Sequence, residues 1–315
     1  MFVPDMKSLC LCASVAILAP ALLRPDVREH PGGKELPHDR YKCVVSEMDS
    51  PVQQVYIKSR DGLYVAAALR KPKGNGPFPV LIHFHGAPGG RGMEQLVGWS
   101  RGSTGGPVWE RFLQEGFVVV VADYRAVLGG MPAMTASISP NQVSYVDDGL
   151  AVVDYVRALP YVDPARISVY GVSLGGNLVM HLIGRTKVRS AILGAPAVMG
   201  FLGVSMPAAP PAGGNPMDRF KNLQINEELA ARNIAPIECP VLILVGTADA
   251  LIQIDRPLHD LMEKAGKRVR MEVYQNGYHD FCIGPQGHAG RKEPLLDATL
   301  DALEKSVDFV KNGLR

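Results

Sequence analysis

The chain has 315 residues, of which 47% are hydrophobic and 20% are charged, and its formal net charge is +2. This length suits one α/β domain with a short extension, and this apolar content is too high for general disorder. The charge is nearly balanced and includes no long basic run, so nucleic acid is not expected as a partner.

The N-terminal segment has the pattern of an export signal. Lys7 precedes the apolar run "SLCLCASVAILAPALL", which Pro20 interrupts and which is short for a membrane span. A charged start, a short apolar centre and small residues near the end predict a signal peptide over residues 1–23 and a secreted or periplasmic protein. An uncleaved N-terminal membrane anchor is the alternative, although no stable membrane span is expected. Residues 24–50, rich in Pro, Gly and charge, predict an arm or linker.

The cysteines do not indicate a disulfide scaffold. If Cys10 and Cys12 leave with the signal peptide, Cys43, Cys239 and Cys282 remain in the mature chain. These thiols allow at most one disulfide, and the sequence leaves open whether it forms. The fold is therefore expected to depend on its hydrophobic core rather than on cross-links.

Residues 51–315 alternate between strand and helix patterns and predict one α/β domain. A β-hairpin is predicted where "VQQVYIKS" and "LYVAAALRKP" flank the turn Arg60-Asp61-Gly62. The apolar run "FPVLIHFHG" predicts the next strand. After a loop, "RGMEQLVGWSRGSTGG", the segment "PVWERFLQEG" predicts a helix that Gly116 closes. The continuous apolar run "FVVVVADY" is typical of a strand buried on both faces of a parallel sheet.

The second half of the chain continues this alternation. "SYVDDGLAVVDYVRALP" has apolar residues at helical spacing and ends at Pro160. The elements that follow are strand "ISVYGVS", helix "GGNLVMHLIG", strand "SAILGAP", strand "VLILVGTAD", helix "PLHDLMEKAG", strand "MEVYQNG" and helix "LLDATLDALEKSVDFVKNG". This predicts an α/β fold with one doubly wound, mostly parallel sheet of about eight strands. The long segment at about 197–240, between the sixth and seventh strands, is interpreted as a cap, with a disordered insertion as the alternative.

A serine lies at the sharp corner between a predicted strand and a predicted helix. Ser173 is the centre of "GVSLG", with Gly171 and Gly175 on either side. The glycines remove side chains that would clash where the strand meets the helix, and the corner exposes the serine hydroxyl. The start of the helix offers outward-pointing N–H groups and partial positive charge, which favour an oxyanion. Ser173 is therefore the predicted nucleophile.

A serine nucleophile needs a base, and the base needs a carboxylate that orients it. In this kind of sheet the expected chain order is serine, acid, histidine. Asp249 comes just after the strand "VLILVG", and His279 comes just after the last strand. Both residues are expected at the sheet edge where Ser173 emerges, because ligands bind beyond the carboxyl ends of parallel strands.

Rival residues remain for both roles. His288, in a loop nine residues after His279, is the weaker candidate for the base. Asp255 and Asp280 are the rivals to Asp249, and Asp280 is disfavoured because it directly follows His279 in sequence. The remaining histidines lie in predicted helices or in the arm and fit less well: His30, His38, His181 and His259.

The oxyanion of an acyl-transfer reaction needs two N–H donors. The Leu174 N–H follows the nucleophile, and the loop after "LIHFHG" should supply the second. Pro88 has no N–H, so Ala87 is the predicted donor. His83 and His85 alternate on one strand face, but no acid or thiol partner is near in sequence, so no metal is expected and His85 should pack against and orient the loop. Trp99 and Tyr278 are the predicted substrate-binding residues.

The stretches "HFHGAPGG", "DYR", "DYVRALPYVDPARISVYGVSLGGNL", "VGTAD" and "YHDF" together resemble the α/β-hydrolase superfamily, over residues 52–312. They are most similar to its prolyl oligopeptidase-like (S9-type catalytic domain) and dienelactone hydrolase-like branch. The resemblance implies a Ser173-Asp249-His279 triad and an oxyanion loop after "HG". Two features of this chain differ from those families. Dienelactone hydrolases carry a cysteine at the position of Ser173, and about fifty residues precede the first predicted strand, too few for a prolyl oligopeptidase propeller.

These features predict a secreted serine hydrolase that cleaves carboxylic esters through an acyl-enzyme and needs no cofactor. A serine exopeptidase or amidase is the second hypothesis, because the same groups cleave amides. A non-catalytic binding protein of this fold is the third, but the residues that such a protein would have lost are all present. The partner is expected to be a small ester or a short peptide, and the sequence does not indicate an oligomeric state.

Overall fold

A computed structural model describes the chain over residues 26–30, 49–100, 106–125, 144–204, 223–283 and 297–314. The predicted signal peptide, Cys43 and the middle of the predicted cap, 205–222, lie outside these ranges. None of the helices within them is long and apolar enough to cross a bilayer.

The core of the molecule is a sheet that has nine strands in the described residues: Val27–His30 (β1), Gln53–Lys58 (β2), Tyr64–Arg70 (β3), Phe78–Phe84 (β4), Val118–Ala122 (β5), Val162–Val172 (β6), Ser190–Gly194 (β7), Val241–Gly246 (β8) and Val269–Tyr274 (β9). Their order across the sheet is β1-β9-β8-β7-β6-β4-β5-β3-β2. The pairs β2–β3 and β3–β5 are antiparallel, and all the other pairs are parallel. The predicted α/β class and mostly parallel sheet are confirmed, but the strand count of eight is one too low.

The additional strand is β1, which forms inside the segment predicted as an arm or linker. Val27–His30 pairs in parallel with β9, so it covers what would otherwise be an open edge of the sheet. The His30 ring stacks on Tyr274 with a centroid distance of 4.5 Å and contacts the fully buried Glu272 carboxylate. The strand is only four residues long and has no apolar alternation, so its sequence carries no strand signal.

Helices cover both faces of the sheet, as the doubly wound prediction requires. Their bounds are Met93–Ser100 (α1), Gly106–Gln114 (α2), Ser144–Arg157 (α3), Leu174–Ile183 (α4), Glu227–Ile234 (α5), Ile252–Lys264 (α6) and Asp297–Asn312 (α7). One hydrophobic cluster packs α3, α4, α5 and α6 against the sheet. The second packs α1, α2 and α7 against the opposite face.

Two helices differ from their predictions. Helix α1 lies in the segment interpreted as loop, where Leu96 and Ser100 are buried. Helix α6 was predicted to begin at Pro257 but begins at Ile252 and continues through the proline. Burial of Ile254, Leu258 and Met262 on one face outweighs the hydrogen bond that proline removes.

A buried arginine fastens α1 and α2 to the sheet. Arg70, at the end of β3 and 1% exposed, donates hydrogen bonds to the Ser50 and Ser100 carbonyl oxygens and pairs with the Glu110 carboxylate. A buried charge is tolerated only when such partners satisfy it. The bridge therefore fixes the end of α1 and the middle of α2 to one strand.

We expect Arg70→Met to lower the free energy of unfolding by about 3–5 kcal/mol, because it leaves the Glu110 carboxylate buried without its partner. Urea unfolding followed by circular dichroism measures this loss. The double substitution Arg70→Met with Glu110→Leu is the control, and it should recover most of the stability. An Arg70→Met protein as stable as the parent would contradict the structural role of this ion pair.

Candidate active site

The predicted site residues follow parallel strands and so lie at one edge of the sheet. Ser173 comes directly after β6, Asp249 three residues after β8, and His279 five residues after β9. The loop containing Ala87 follows β4, which pairs with β6. Sheet topology therefore directs four separate segments of the chain to the same region.

Ser173 has the strained backbone that its motif predicts. Its φ of 53° and ψ of −118° lie outside the regions that a residue with a side chain normally adopts. A Cβ on Gly171 would lie 2.3 Å from the Gly175 carbonyl oxygen, and one on Gly175 would lie 2.1 Å from the Phe84 carbonyl oxygen. Neither position can hold a side chain, because the backbones of β4, β6 and α4 meet here.

Backbone hydrogen bonds hold Ser173 in this conformation. Its N–H donates to the Gly194 carbonyl oxygen at 3.0 Å, and its carbonyl oxygen accepts from the Ala197 N–H at 2.8 Å. The strand β7 and the segment after it therefore fix the corner from one side. A strained residue persists when its surroundings determine it in this way.

Asp249 and His279 are in direct contact. The distance between Asp249 Oδ2 and His279 Nδ1 is 2.6 Å, and Asp249 Oδ1 accepts a hydrogen bond from the Leu251 N–H at 3.0 Å. The loops that carry them touch through their backbones, since a Cβ on Gly246 would lie 2.0 Å from the Gly277 carbonyl oxygen. This close approach brings the ends of β8 and β9 together and gives the acid and the histidine their contact.

The second ring nitrogen of His279 faces another carboxylate. Its Nε2 lies 3.3 Å from Asp280 Oδ1. Burial alone lowers the pKa of His279, but the charge of Asp280 and the hydrogen bond and charge of Asp249 outweigh it, and the pKa is raised to about 9. Asp280, a rival for the acid, thus contacts His279 at Nε2 while Asp249 occupies Nδ1.

The other rivals do not join this arrangement. Asp255 is fully buried in α6, and neither carboxyl oxygen has a hydrogen-bond partner among the described residues. Burial and the nearby charge of Asp249 hold the pKa of its carboxyl well above the usual range, which favours the neutral form of the acid. Burial and Arg185 lower the pKa of His181 to about 4, and this residue packs against Phe201. His288 and His38 lie outside the described residues.

Asp123 organises the loop that contains Ala87, a role that the sequence reasoning missed. Its carboxylate accepts hydrogen bonds from the N–H groups of Gly90 at 2.9 Å, Gly92 at 3.0 Å and Tyr124 at 2.8 Å. It also contacts His85 Nε2 at 3.0 Å, and the Tyr124 hydroxyl donates to the His85 carbonyl oxygen. The loop is therefore tied to the end of β5. The signal that could have revealed this role was an aspartate directly after β5, the strand that pairs with β4, because the "HG" loop follows β4.

Hydrogen-bond donors around Asp123 stabilise the negative charge of its buried carboxylate. Burial alone raises the pKa of its carboxyl, but the hydrogen bond and charge of His85 and the N–H groups of Gly92 and Tyr124 outweigh this, so the pKa lies below its usual value. Asp123 is therefore an anion under the loop, and His85 packs and orients the loop as expected from the sequence.

The predicted oxyanion donors lie on either side of the corner. Ala87 and Leu174 are buried, and neither N–H makes a backbone hydrogen bond with another described residue. The Arg91 guanidinium donates to the Ala87 carbonyl oxygen. Trp99 lies over this loop, with its ring centroid 5.2 Å from that of His85, and Tyr278 precedes His279 as a half-buried residue.

The histidine pair considered for metal has other contacts. His83 is buried between Trp109, at a centroid distance of 4.1 Å, and Tyr170, at 5.9 Å. Within the described part of the chain, no three or more metal-ligating side chains come together. Cys239 and Cys282 are both buried free thiols.

Comparison with known proteins identifies the family. A model described as "Dienelactone hydrolase family" matches residues 65–313. The uncharacterized protein YfhR of Salmonella typhimurium is 28% identical over 204 residues, which are 61% of this chain and 60% of that protein. The chain thus spans less than two thirds of this curated relative.

Solved structures show the same fold. The crystal structure of EstE1, a thermostable carboxylesterase cloned from a metagenomic library, covers 88% of this chain and 93% of its own with a TM-score of 0.59 and 20% identity. The acylaminoacyl peptidase of Pyrococcus horikoshii covers 84% of this chain and 42% of its own with a TM-score of 0.59 and 16% identity. The fold and the family match together show that this chain belongs to the dienelactone hydrolase family, whose members have the α/β-hydrolase fold.

Proposed function

We propose that this protein is a serine hydrolase that cleaves carboxylic esters, with Ser173 as nucleophile, His279 as base and Asp249 as the residue that orients the base. The observation that carries this proposal is the 2.6 Å contact between Asp249 and His279 at the edge where the strained Ser173 emerges. The contact joins an acid and a histidine that are 30 residues apart in sequence, which supports the pairing of acid and base that acyl transfer needs. The family membership supports the same class of reaction.

The reaction follows from these roles. Ser173 Oγ attacks the ester carbonyl carbon while His279 Nε2 accepts the hydroxyl proton. The Leu174 and Ala87 N–H groups hold the oxyanion of the tetrahedral intermediate. When the intermediate collapses, the ester C–O bond breaks and His279 gives the proton to the leaving alcohol. Water then attacks the acyl-enzyme, His279 takes its proton, and the carboxylic acid leaves as Ser173 regains its hydrogen.

A fluorophosphonate probe tests the nucleophile directly. We expect covalent labelling of the wild-type protein, none in Ser173→Ala, and undiminished labelling in Ser144→Ala, a control that removes an exposed hydroxyl from α3. Mass spectrometry of the labelled peptide identifies the modified residue. Equal labelling of Ser173→Ala and the parent would overturn the proposal.

The preference for esters is tested separately with substrates. Nitrophenyl esters of different acyl lengths should be turned over much faster than aminoacyl nitroanilides, because the leaving alcohol needs less assistance than an amine. Amide turnover as fast as ester turnover would favour the exopeptidase hypothesis. Trp99 and Tyr278 are proposed to line the substrate pocket, and their substitution by alanine should change the acyl-length profile.

The charge of Asp280 is expected to set the pH dependence of hydrolysis. His279 acts as a base only when neutral, and its pKa is raised to about 9, so kcat/KM should increase as the pH rises to about 9. Asp280→Asn removes the charge next to Nε2 and should move this increase to lower pH. Asparagine accepts the positive φ of 66° at this position. A pH profile of Asp280→Asn that matches the parent, while the control Asp308→Asn also matches, would contradict this role.

We also propose that the protein is exported after removal of residues 1–23. The support is the charged start, the short apolar run and the small residues near its end. N-terminal sequencing of the exported protein tests this, and a sequence beginning at Met1 would support the anchor alternative.

A further inference from the structure

A cleft lined with cations lies at the edge of the sheet opposite the candidate active site. Its volume is about 490 Å³, and it is formed by the segments that lead into β7, β8 and β9. The segment before β7 supplies Arg185, Lys187 and Arg189, and the segment before β9 supplies Arg268. Ser173, Asp249 and His279 follow the carboxyl ends of their strands, whereas these residues precede the amino ends. The five residues of β7 alone separate the two edges by about 17 Å.

The charge of this cleft is strongly unbalanced. Glu238 is its one acidic lining residue, against four cations. The distance between Lys187 Nζ and Glu238 Oε2 is 3.6 Å, but both side chains are more than three quarters exposed, so water screens this pair. The whole chain carries a formal net charge of only +2. The lining residues carry a net charge of +3, so the rest of the chain carries a net charge of −1.

Cationic side chains also hold the backbone around the cleft in place. Arg268 donates to the Glu238 carbonyl oxygen at 3.0 Å, and Lys267 donates to the Ile237 carbonyl oxygen at 2.9 Å. Arg157 donates to the Lys187 carbonyl oxygen at 2.8 Å. These bonds connect loops from three parts of the chain. The walls are therefore held in place before a ligand arrives, which lowers the entropic cost of binding.

Two guanidinium groups remain available. Within the described ranges the side chains of Arg185 and Arg189 make no hydrogen bond or ion pair, although the charge of Arg189 helps to lower the pKa of Asp163, and both arginines are exposed. Guanidinium groups bind phosphate oxygens through paired N–H donors, which makes arginine well suited to phosphate recognition. Ammonium groups such as that of Lys187 add charge without this geometry.

Part of the cleft lining is apolar. It includes Ile183, Val188 and Pro236, together with the buried thiol of Cys239. Burial raises the pKa of Cys239 to about 11, so the thiol is protonated and contributes packing rather than nucleophilic chemistry. A ligand with an anionic end and a short apolar part would match both the apolar and the cationic lining residues.

We propose that this cleft binds a phosphate-bearing ligand, a phosphomonoester or diphosphate, with Arg185 and Arg189 as its main phosphate contacts. The phosphate comes either from a soluble metabolite or from a phospholipid headgroup, and both present the same chemistry. The proposal goes beyond ester hydrolysis and depends on no residue of the candidate active site.

The test uses the full-length mature protein with two probes: inorganic pyrophosphate by titration calorimetry, and phosphatidylcholine vesicles with or without phosphatidic acid by co-sedimentation. The variant is Arg185→Gln with Arg189→Gln. Lys58→Gln with Arg60→Gln, which removes the same charge from exposed positions around the β2–β3 turn, is the control. Loss of two charged hydrogen-bond donors should weaken binding by about tenfold or more, and the control should bind as the parent does.

Binding of pyrophosphate identifies a soluble ligand, and binding only to vesicles with phosphatidic acid identifies a lipid headgroup. Either supports the proposal if the arginine variant alone loses it. Absence of binding to both probes, or equal weakening in the control, overturns it. Thermal unfolding of the variant should match the parent, which shows that the fold is intact. Fluorophosphonate labelling at Ser173 should also be unchanged, so the two proposals fail independently.

Discussion

Asp249→Asn is expected to lower kcat by about four orders of magnitude while leaving the fold intact. The carboxylate faces His279 Nδ1 at 2.6 Å and requires that nitrogen to carry the proton, so that Nε2 is the nitrogen that accepts the proton of Ser173. An asparagine amide can hold the ring in the opposite tautomer, in which Nε2 is already protonated. Steady-state kinetics with a nitrophenyl ester measure the loss.

Asp255→Asn is the matched control for this experiment. Asp255 lies in the same region of the chain, and burial raises the pKa of its carboxyl, which favours the uncharged form that asparagine matches in shape and charge. The structure therefore predicts that Asp255→Asn retains kcat within a small factor of the parent. If Asp255→Asn loses activity and Asp249→Asn retains it, the acid has been assigned to the wrong residue.

Asp123→Ala is expected to lower kcat by about 10²–10³-fold, the effect of losing an oxyanion donor. Its carboxylate binds the N–H groups of Gly90 and Gly92 and contacts His85, so its removal frees the loop that positions the Ala87 N–H. The loop contributes to the oxyanion more than to the bound substrate. The loss should therefore appear mainly in kcat, with a smaller change in KM.

Two controls separate this effect from unfolding. Asp163→Ala removes a carboxylate near the start of β6, far from the loop, and should leave kcat unchanged. Asp123→Asn keeps one acceptor oxygen and should recover part of the activity. If Asp123→Ala raises KM alone, or if asparagine and alanine are equally damaging, the loop has a different function.

The sequence was sufficient to predict those parts of the site that depend on contacts between neighbouring residues. The strained corner at Ser173 needs glycines only two residues away, and "GVSLG" shows them. Asp249 and His279 could also be predicted from the sequence. The carboxyl ends of parallel strands share one edge of the sheet, and the chain order limits which acid and which histidine can serve. The structure adds their 2.6 Å contact, which no spacing rule provides.

The sequence was insufficient to predict features that depend on a contact with a residue far away in the chain. Val27–His30 becomes a strand only because β9 offers an edge, and its own residues have no strand pattern. Asp123 was read only as part of "DYR", since its function depends on loop N–H groups that come from the segment after β4. Asp280 was set aside because it adjoins His279, yet it faces the opposite ring nitrogen from Asp249.

The pairing of β1 with β9 has a consequence for the order of events during synthesis. His30 and its contact Glu272 are 242 residues apart, so the first strand to leave the ribosome must wait for almost the whole chain before its neighbour exists. Pairings between such distant segments form late, because the chain that links them must first be ordered. Val27–His30 therefore stays without its neighbouring strand until elongation is nearly complete. The sheet is completed last by the residues that were made first.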